Sequence, residues 1–166
     1  YPSQKELYRN MFVHKRVAAY KEAGLVCEVM RMNIYAKEGY REFDGINVVE
    51  GRSDTLAAIL ESGQVKTVCV HFLDELMWQV LKNYEVRIIV WVHGAEIQPW
   101  WRRAYNYTTE KELEEAKRSS QKRYDFWKEI FDHLERYNLH FVFVSQYFAE
   151  EIFEDYKVNL TNDRYS

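Results

Sequence analysis

Apolar and polar positions alternate along the chain with two periods, one helical and one extended, and the two periods take turns. Leu7, Met11, His14, Val17 or Ala18 and Lys21 recur at three-to-four spacing, which predicts a helix over 7–23 with Gly24 as its C-terminal stop. Leu25 to Met32 is β-compatible, and Tyr40–Phe43 and Ile46–Val49 flank Asp44-Gly45, a strong two-residue hairpin signal. Ser53 is the expected cap of a helix with an apolar stripe of Leu56, Ile59 and Leu60, ending at Gly63. Thr67 to Phe72 is a continuous apolar run of the kind buried on both faces of a parallel sheet. Asp74 then caps a helix with Leu76, Met77, Val80, Leu81 and Tyr84 on one side, and Val86 to Val92 returns to the strand pattern.

Periodicity disappears from His93 to Thr108, where Pro99-Trp100-Trp101-Arg102-Arg103 lengthens what would otherwise be a short connection. Thr109 and Glu112 have capping-box spacing and open a helix expected to reach about Tyr137, with Trp127, Ile130, Phe131 and Leu134 inward. The polar middle, Lys117 to Arg123, reads either as a solvated stretch or as a break at Ser119-Ser120. Leu139 to Val144 is the last strand, and Ser145 caps a helix carrying Phe148, Ile152, Phe153 and Tyr156. This alternation predicts an α/β fold of the Rossmann-like kind: one domain over 1–166, a mostly parallel sheet, helices on both faces, and a β-hairpin near 40–49. Such a sheet usually opens with a strand. Here a helix comes first, so an initial strand is expected ahead of it, and because Lys157 to Ser166 begins to turn extended, a further strand or linker is expected after it.

Composition agrees with a folded core. The 166 residues are 47% hydrophobic and 30% charged, and 13 Tyr, 9 Phe and 5 Trp give an aromatic interior whose O–H and N–H groups need partners. A net charge of −3 argues against a nucleic-acid partner held by phosphate neutralisation. The apolar run Ile88–Val92 is far shorter than the roughly 20 residues of a membrane span. With no signal peptide at the start and two cysteines, Cys27 and Cys69, inside β-rich runs, a reducing, cytoplasmic setting is expected, although parity alone permits a disulfide.

Ligands of open α/β sheets bind beyond the carboxyl ends of the strands. His71, His93 with Gly94, and Ser145 close three successive apolar runs, so all three are expected on one rim, with Glu96 in the same loop. An imidazole before a glycine lets a ligand approach the backbone closely, which makes His93-Gly94 the leading candidate. The chain entering the first helix, with Arg9 and Asn10, is expected to reach this rim as well. Blander readings stand beside these: Ser145 as a plain helix cap, His71 as a core histidine, and Trp100 to Arg103 as a hydrophobic plug with snorkelling arginines rather than a lid. Exposed indole surface is expected between Ile97 and Tyr107. No dinucleotide or phosphate-binding glycine motif, nucleophile turn or Cys-x-x-Cys occurs, and His93 and Glu96 lack a third ligand at helical spacing, so neither a metal nor a bound cofactor is expected.

The opening Tyr-Pro-Ser and Leu7-Tyr-Arg-Asn-Met-Phe-Val-His, Val70-His71-Phe72, the loop from Trp91 through His93, Gly94 and Glu96 to Arg102, and Phe143-Val-Ser145-Gln-Tyr-Phe together resemble the N-terminal half of a bacterial family 4 glycosyltransferase of GT-B architecture. The resemblance implies transfer of a hexose from a nucleoside-diphosphate sugar to a glycan or glycolipid, generally with retention and without a bound metal. It implies that His93 contacts the donor sugar near the reacting carbon and that Glu96 and His71 line the acceptor side. Gly94, Ser145, Trp100 and Arg102 would contact substrate, and Arg9 and Asn10 would lie near the donor diphosphate. The glycine-rich turn of that family is replaced here by Pro2-Ser3. The partner would be a C-terminal donor-binding domain of the same chain, and this half alone is expected to be catalytically silent. Lipid-linked acceptors would bring a peripheral contact with the inner face of the membrane through Lys15, Arg16 and Lys21. The rival reading is a stand-alone Rossmann-like binding module; a dinucleotide-dependent redox enzyme is disfavoured by the missing glycines.

Overall fold

The computed structural model describes residues 1–35 and 37–166, and these form two compact units, Tyr1–Val65 and Lys66–Ser166. Helix α1 (Met11–Glu22) opens the first unit, four residues later than its apolar period suggests. Asn10 is the reason: its φ of 50° is left-handed and cannot lie inside an α-helix, so Leu7 and Tyr8 stay exposed in turns. The far end agrees with the pattern. Gly24 adopts φ 82°, its N–H bonds to the Lys21 carbonyl and that of Leu25 to the Tyr20 carbonyl, a Schellman arrangement.

Strands β1 (Val29–Met32), β2 (Gly39–Phe43) and β3 (Ile46–Gly51) form a mixed sheet in the order β1-β3-β2. Asp44 and Gly45 both have positive φ and close the β2–β3 hairpin with Phe43 opposite Ile46, as the turn sequence demands. β1 pairs in parallel only from Val29 opposite Val48 to Met32 opposite Gly51, so residues 25–28 lack a strand partner and Val26 is exposed. Tyr1, Phe43, Ile46 and Val48 make a small core on which Met11, Val13, Val17 and Val29 pack. Helix α2 (Ser53–Glu61) buries Leu56 and Leu60. Its N-cap is Arg52 rather than Ser53, because the Thr55 hydroxyl accepts from the Arg52 N–H.

In the second unit β4 (Thr67–His71), β5 (Arg87–Val92) and β6 (Leu139–Phe143) form an all-parallel sheet in that order. The α/β expectation therefore holds, but the strands divide between two three-stranded sheets, and the hairpin belongs to a mixed sheet of its own. β4 is an edge strand with Thr67 and Cys69 exposed, which corrects the doubly buried reading of its apolar run. Helix α3 (Glu75–Leu81) is capped by Asp74, whose carboxylate accepts from the Met77 N–H at 2.9 Å. It turns Trp78 and Leu81 inward and leaves Leu76 exposed.

A 3₁₀ segment, Trp100–Asn106, falls within the aperiodic stretch, and α4 (Glu110–Asp132) follows behind the expected Thr109/Glu112 capping box. α4 does not break at Ser119-Ser120. Ser120 is buried and its hydroxyl accepts from the Trp100 N–H at 2.7 Å, so the polar middle is an attachment point for the preceding loop. The helix stops at Asp132 because His133 leaves helical geometry, and Leu134–Arg136 is a separate 3₁₀ turn. Helix α5 (Gln146–Tyr156) is capped by Ser145, which accepts from the Phe148 N–H. Beyond it, Tyr165 bridges to Phe141 in parallel. Trp127, Phe141, Ile152 and Tyr156 are fully buried in this unit. Cys27 and Cys69 are both thiols. No helix among the described residues is long and apolar enough to cross a membrane.

Candidate functional site

Parallel pairing fixes the edge at which the candidate side chains emerge. His71 is in register with Trp91, and Val92 with Phe143, so His71, His93 and Ser145 all stand at the carboxyl edge of the second sheet. His71 and His93 touch: His71 Nδ1 lies 2.9 Å from His93 Nε2, with ring centroids 5.2 Å apart. The Glu96 carboxylate accepts from the His93 backbone N–H through Oε1. Its Oε2 is buried and has no hydrogen-bond partner among the described residues. A buried polar atom without a partner is uncommon and marks this carboxylate as a candidate for function.

Gly94 has φ 124°, which a β-carbon disfavours, and its carbonyl accepts from the N–H groups of Ile97 and Gln98. A side chain there would meet the Phe148 ring at 3.8 Å, so Gly94 lies beside the first turn of α5. Further on, the carbonyls of three successive residues, Glu96 to Gln98, are each held by a side chain from a helix. Trp127 Nε1 donates to Glu96 O at 2.7 Å, the Tyr156 hydroxyl to Ile97 O at 2.6 Å, and Arg123 Nη2 to Gln98 O at 2.9 Å. Burial raises the Tyr156 phenol well above its ordinary value, which keeps it a donor. A loop without regular structure is thereby rigid where it carries Glu96.

The rest of the loop is turned to internal work. Arg102 Nε donates to both carboxylate oxygens of Asp155, at 3.1 and 2.9 Å, and Nη2 to Glu154 at 2.8 Å, with Glu151 at 3.8 Å. The Asp155 bond is the chief cause that raises the guanidinium's proton affinity. Arg102 is thus a brace between loop and α5, whatever else it contacts. Trp101 donates to Asp155 and is 45% exposed, and half-buried Trp100 carries Lys117 Nζ 5.1 Å above its ring. Exposed indole surface is present at Trp101, while Trp100 is largely occupied.

Arg9 and Asn10 belong to the first unit. Arg9 is paired with Glu6 at 2.9 Å, and Asn10 is the left-handed residue before α1, with no side-chain cap bond. No group of three or more His, Cys, Asp or Glu among the described residues could hold a metal ion. A cleft of about 540 Å3 lined by Arg87, Arg136, His140 and Arg164 lies at the amino edge of β5 and β6, away from His71 and His93. Sequence reasoning missed Phe72, Trp91, Arg123 and Asp155. Phe72 and Trp91 adjoin His71 and His93 in the chain or the register, but Arg123 and Asp155 look like ordinary surface charges until the loop is folded. No protein-family model, no curated protein and no solved structure matches this chain.

Proposed function

We propose that this chain is the acceptor-side, Rossmann-like half of a glycosyltransferase of the GT-B kind, which moves a hexose from a nucleoside-diphosphate sugar to a hydroxyl of a glycan or glycolipid. The observation that carries the reading is the convergence of His71, His93 and the Glu96 carboxylate at the carboxyl edge of the parallel sheet. In the reaction the bond from the anomeric carbon to the diphosphate oxygen breaks. A bond to the acceptor oxygen forms, and the acceptor proton is lost. Glu96 would accept from that hydroxyl, and the His71–His93 pair would face the sugar. Gly94 would let the sugar approach the backbone, with Ser145 and Trp100 as further substrate contacts. A second, donor-binding α/β domain of the same protein supplies most of the charge stabilisation for the leaving diphosphate, at the inner face of the membrane where the acceptor is lipid-linked.

The internal engagement of Arg102 and of the Ser145 hydroxyl favours a second reading, a binding module without turnover. One experiment separates them. The product of the full reading frame, incubated with UDP- and GDP-hexoses and with lipid and glycan extracts, is expected to release nucleoside diphosphate only when an acceptor is present. Binding of glycans with no release from any donor would favour the module.

A further inference from the structure

The chain passes from the end of β4 to the start of α3 through Phe72, Leu73 and Asp74 alone. Within that span Leu73 enters the core and Asp74 takes the cap position, and the backbone does this with Phe72 at φ 60°. Glycine occupies that region freely, whereas a β-carbon bearing a bulky group opposes it. At its other left-handed positions the chain carries glycine, as at Gly24, Gly45, Gly63 and Gly94, or an unbranched polar residue, Asn10, Asp44 and Lys157. At 72 it carries a benzyl group instead, and the ring lies flat on His93, with centroids 4.5 Å apart and planes 28° from parallel.

The hydrogen bond at Nε2 fixes one point of the His93 imidazole. A flat aromatic contact fixes the plane. His71 is held in the same way from the other end of the run, stacked on Trp91 at 5.1 Å and 20°. Backbone strain of this kind persists only where its surroundings demand it, and it gathers at functional sites.

We propose that Phe72 is a positioning residue: its ring, presented by a left-handed backbone, sets the plane of the His93 imidazole and with it the direction of Nδ1. That this direction matters for sugar transfer rests on the glycosyltransferase reading; that Phe72 sets it does not. The test pairs two readouts on Phe72→Leu, which keeps an apolar side chain without the ring, and Phe72→Tyr, which keeps the ring. In proton NMR spectra of the 166-residue chain, the His93 ring protons are expected upfield in the wild type and in F72Y. They should move downfield in F72L, with those of His140 unchanged. In the transfer reaction of the full-length protein, F72L is expected to lower kcat between about 10-fold and 10²-fold at nearly constant KM, with F72Y close to wild type. His93 resonances that are the same in all three proteins would overturn the proposal, whether or not the protein transfers sugar. A shifted His93 in a protein that transfers nothing would support the positioning role and remove the transferase reading alone. Reduced melting temperature in F72L with unchanged resonances and kcat would mark Phe72 as packing only.

Discussion

His71 Nδ1 and His93 Nε2 lie 2.9 Å apart, so one of the two nitrogens donates and the other accepts, and each imidazole fixes the tautomer of its neighbour. Replacing His71 with Phe keeps a flat ring against Trp91 and removes the hydrogen bond to His93. H71F is expected to lower kcat for sugar transfer by up to about 10²-fold with little change in melting temperature. Because the two residues act as a unit, the H71F/H93F double variant is expected to be scarcely slower than H93F. Multiplicative losses in that cycle would mean that the histidines act separately.

Arg102 is predicted to matter first for stability. Its partner Asp155 has a side chain only 5% exposed, and Arg102→Ala removes its charged partner, leaving the Trp101 N–H. A loss of roughly 2–4 kcal/mol is expected in urea denaturation, since removing one partner of a buried pair costs far more than the pair contributes. Arg102→Lys should recover little of it, because an ammonium cannot reproduce the fork that reaches Asp155 and Glu154 together. Unchanged stability in R102A, with weaker acceptor binding, would return Arg102 to the role expected from the sequence.

The loop that carries Glu96 is predicted to depend on Tyr156. Y156F removes one hydroxyl, leaves the Ile97 carbonyl without that donor in a buried place, and is expected to cost about 1–3 kcal/mol. Amide hydrogen exchange should accelerate at Ile97 and Gln98, whose N–H groups close the turn on Gly94. Exchange rates equal to wild type would show the loop held by other means.

Glu50 gives the first unit a pH dependence of known sign. Burial acts to raise its carboxyl, but the hydrogen bond from Arg41 at 2.8 Å and the charge and bonds of Arg31 outweigh it and leave the group below its ordinary value. A folded value below the unfolded one stabilises the fold above the unfolded value, about 4.3 for Glu, and that stability is lost as pH falls through the folded value. Glu50→Gln should therefore lower the melting temperature at neutral pH and converge with wild type in acid. Parallel melting curves for the two proteins at every pH would contradict this.

The elements were legible in the sequence because each has a strong local cause: the Asp44-Gly45 hairpin, the Thr109/Glu112 box, the Asp74 and Ser145 caps, Gly24 as a stop. Their grouping was not, because an alternating pattern states that a strand is half-buried without naming its partner. Two three-stranded sheets and one longer sheet therefore look alike in sequence. The rim was legible through parallel register, which put His71 and His93 within reach of each other. The duties of Arg102 and Ser120 were not, since a charge on a loop and a serine in a polar stretch gain buried partners only when α4, α5 and the loop come together.

Hexose transfer by the full-length protein, compared between wild type and His93→Ala with the fold checked by circular dichroism, is the most direct measurement. The account predicts acceptor-dependent transfer in the wild type and a loss of at least about 10²-fold in H93A with the fold intact. Equal rates in the two proteins, or no transfer from any nucleoside-diphosphate hexose by the wild type, would contradict it.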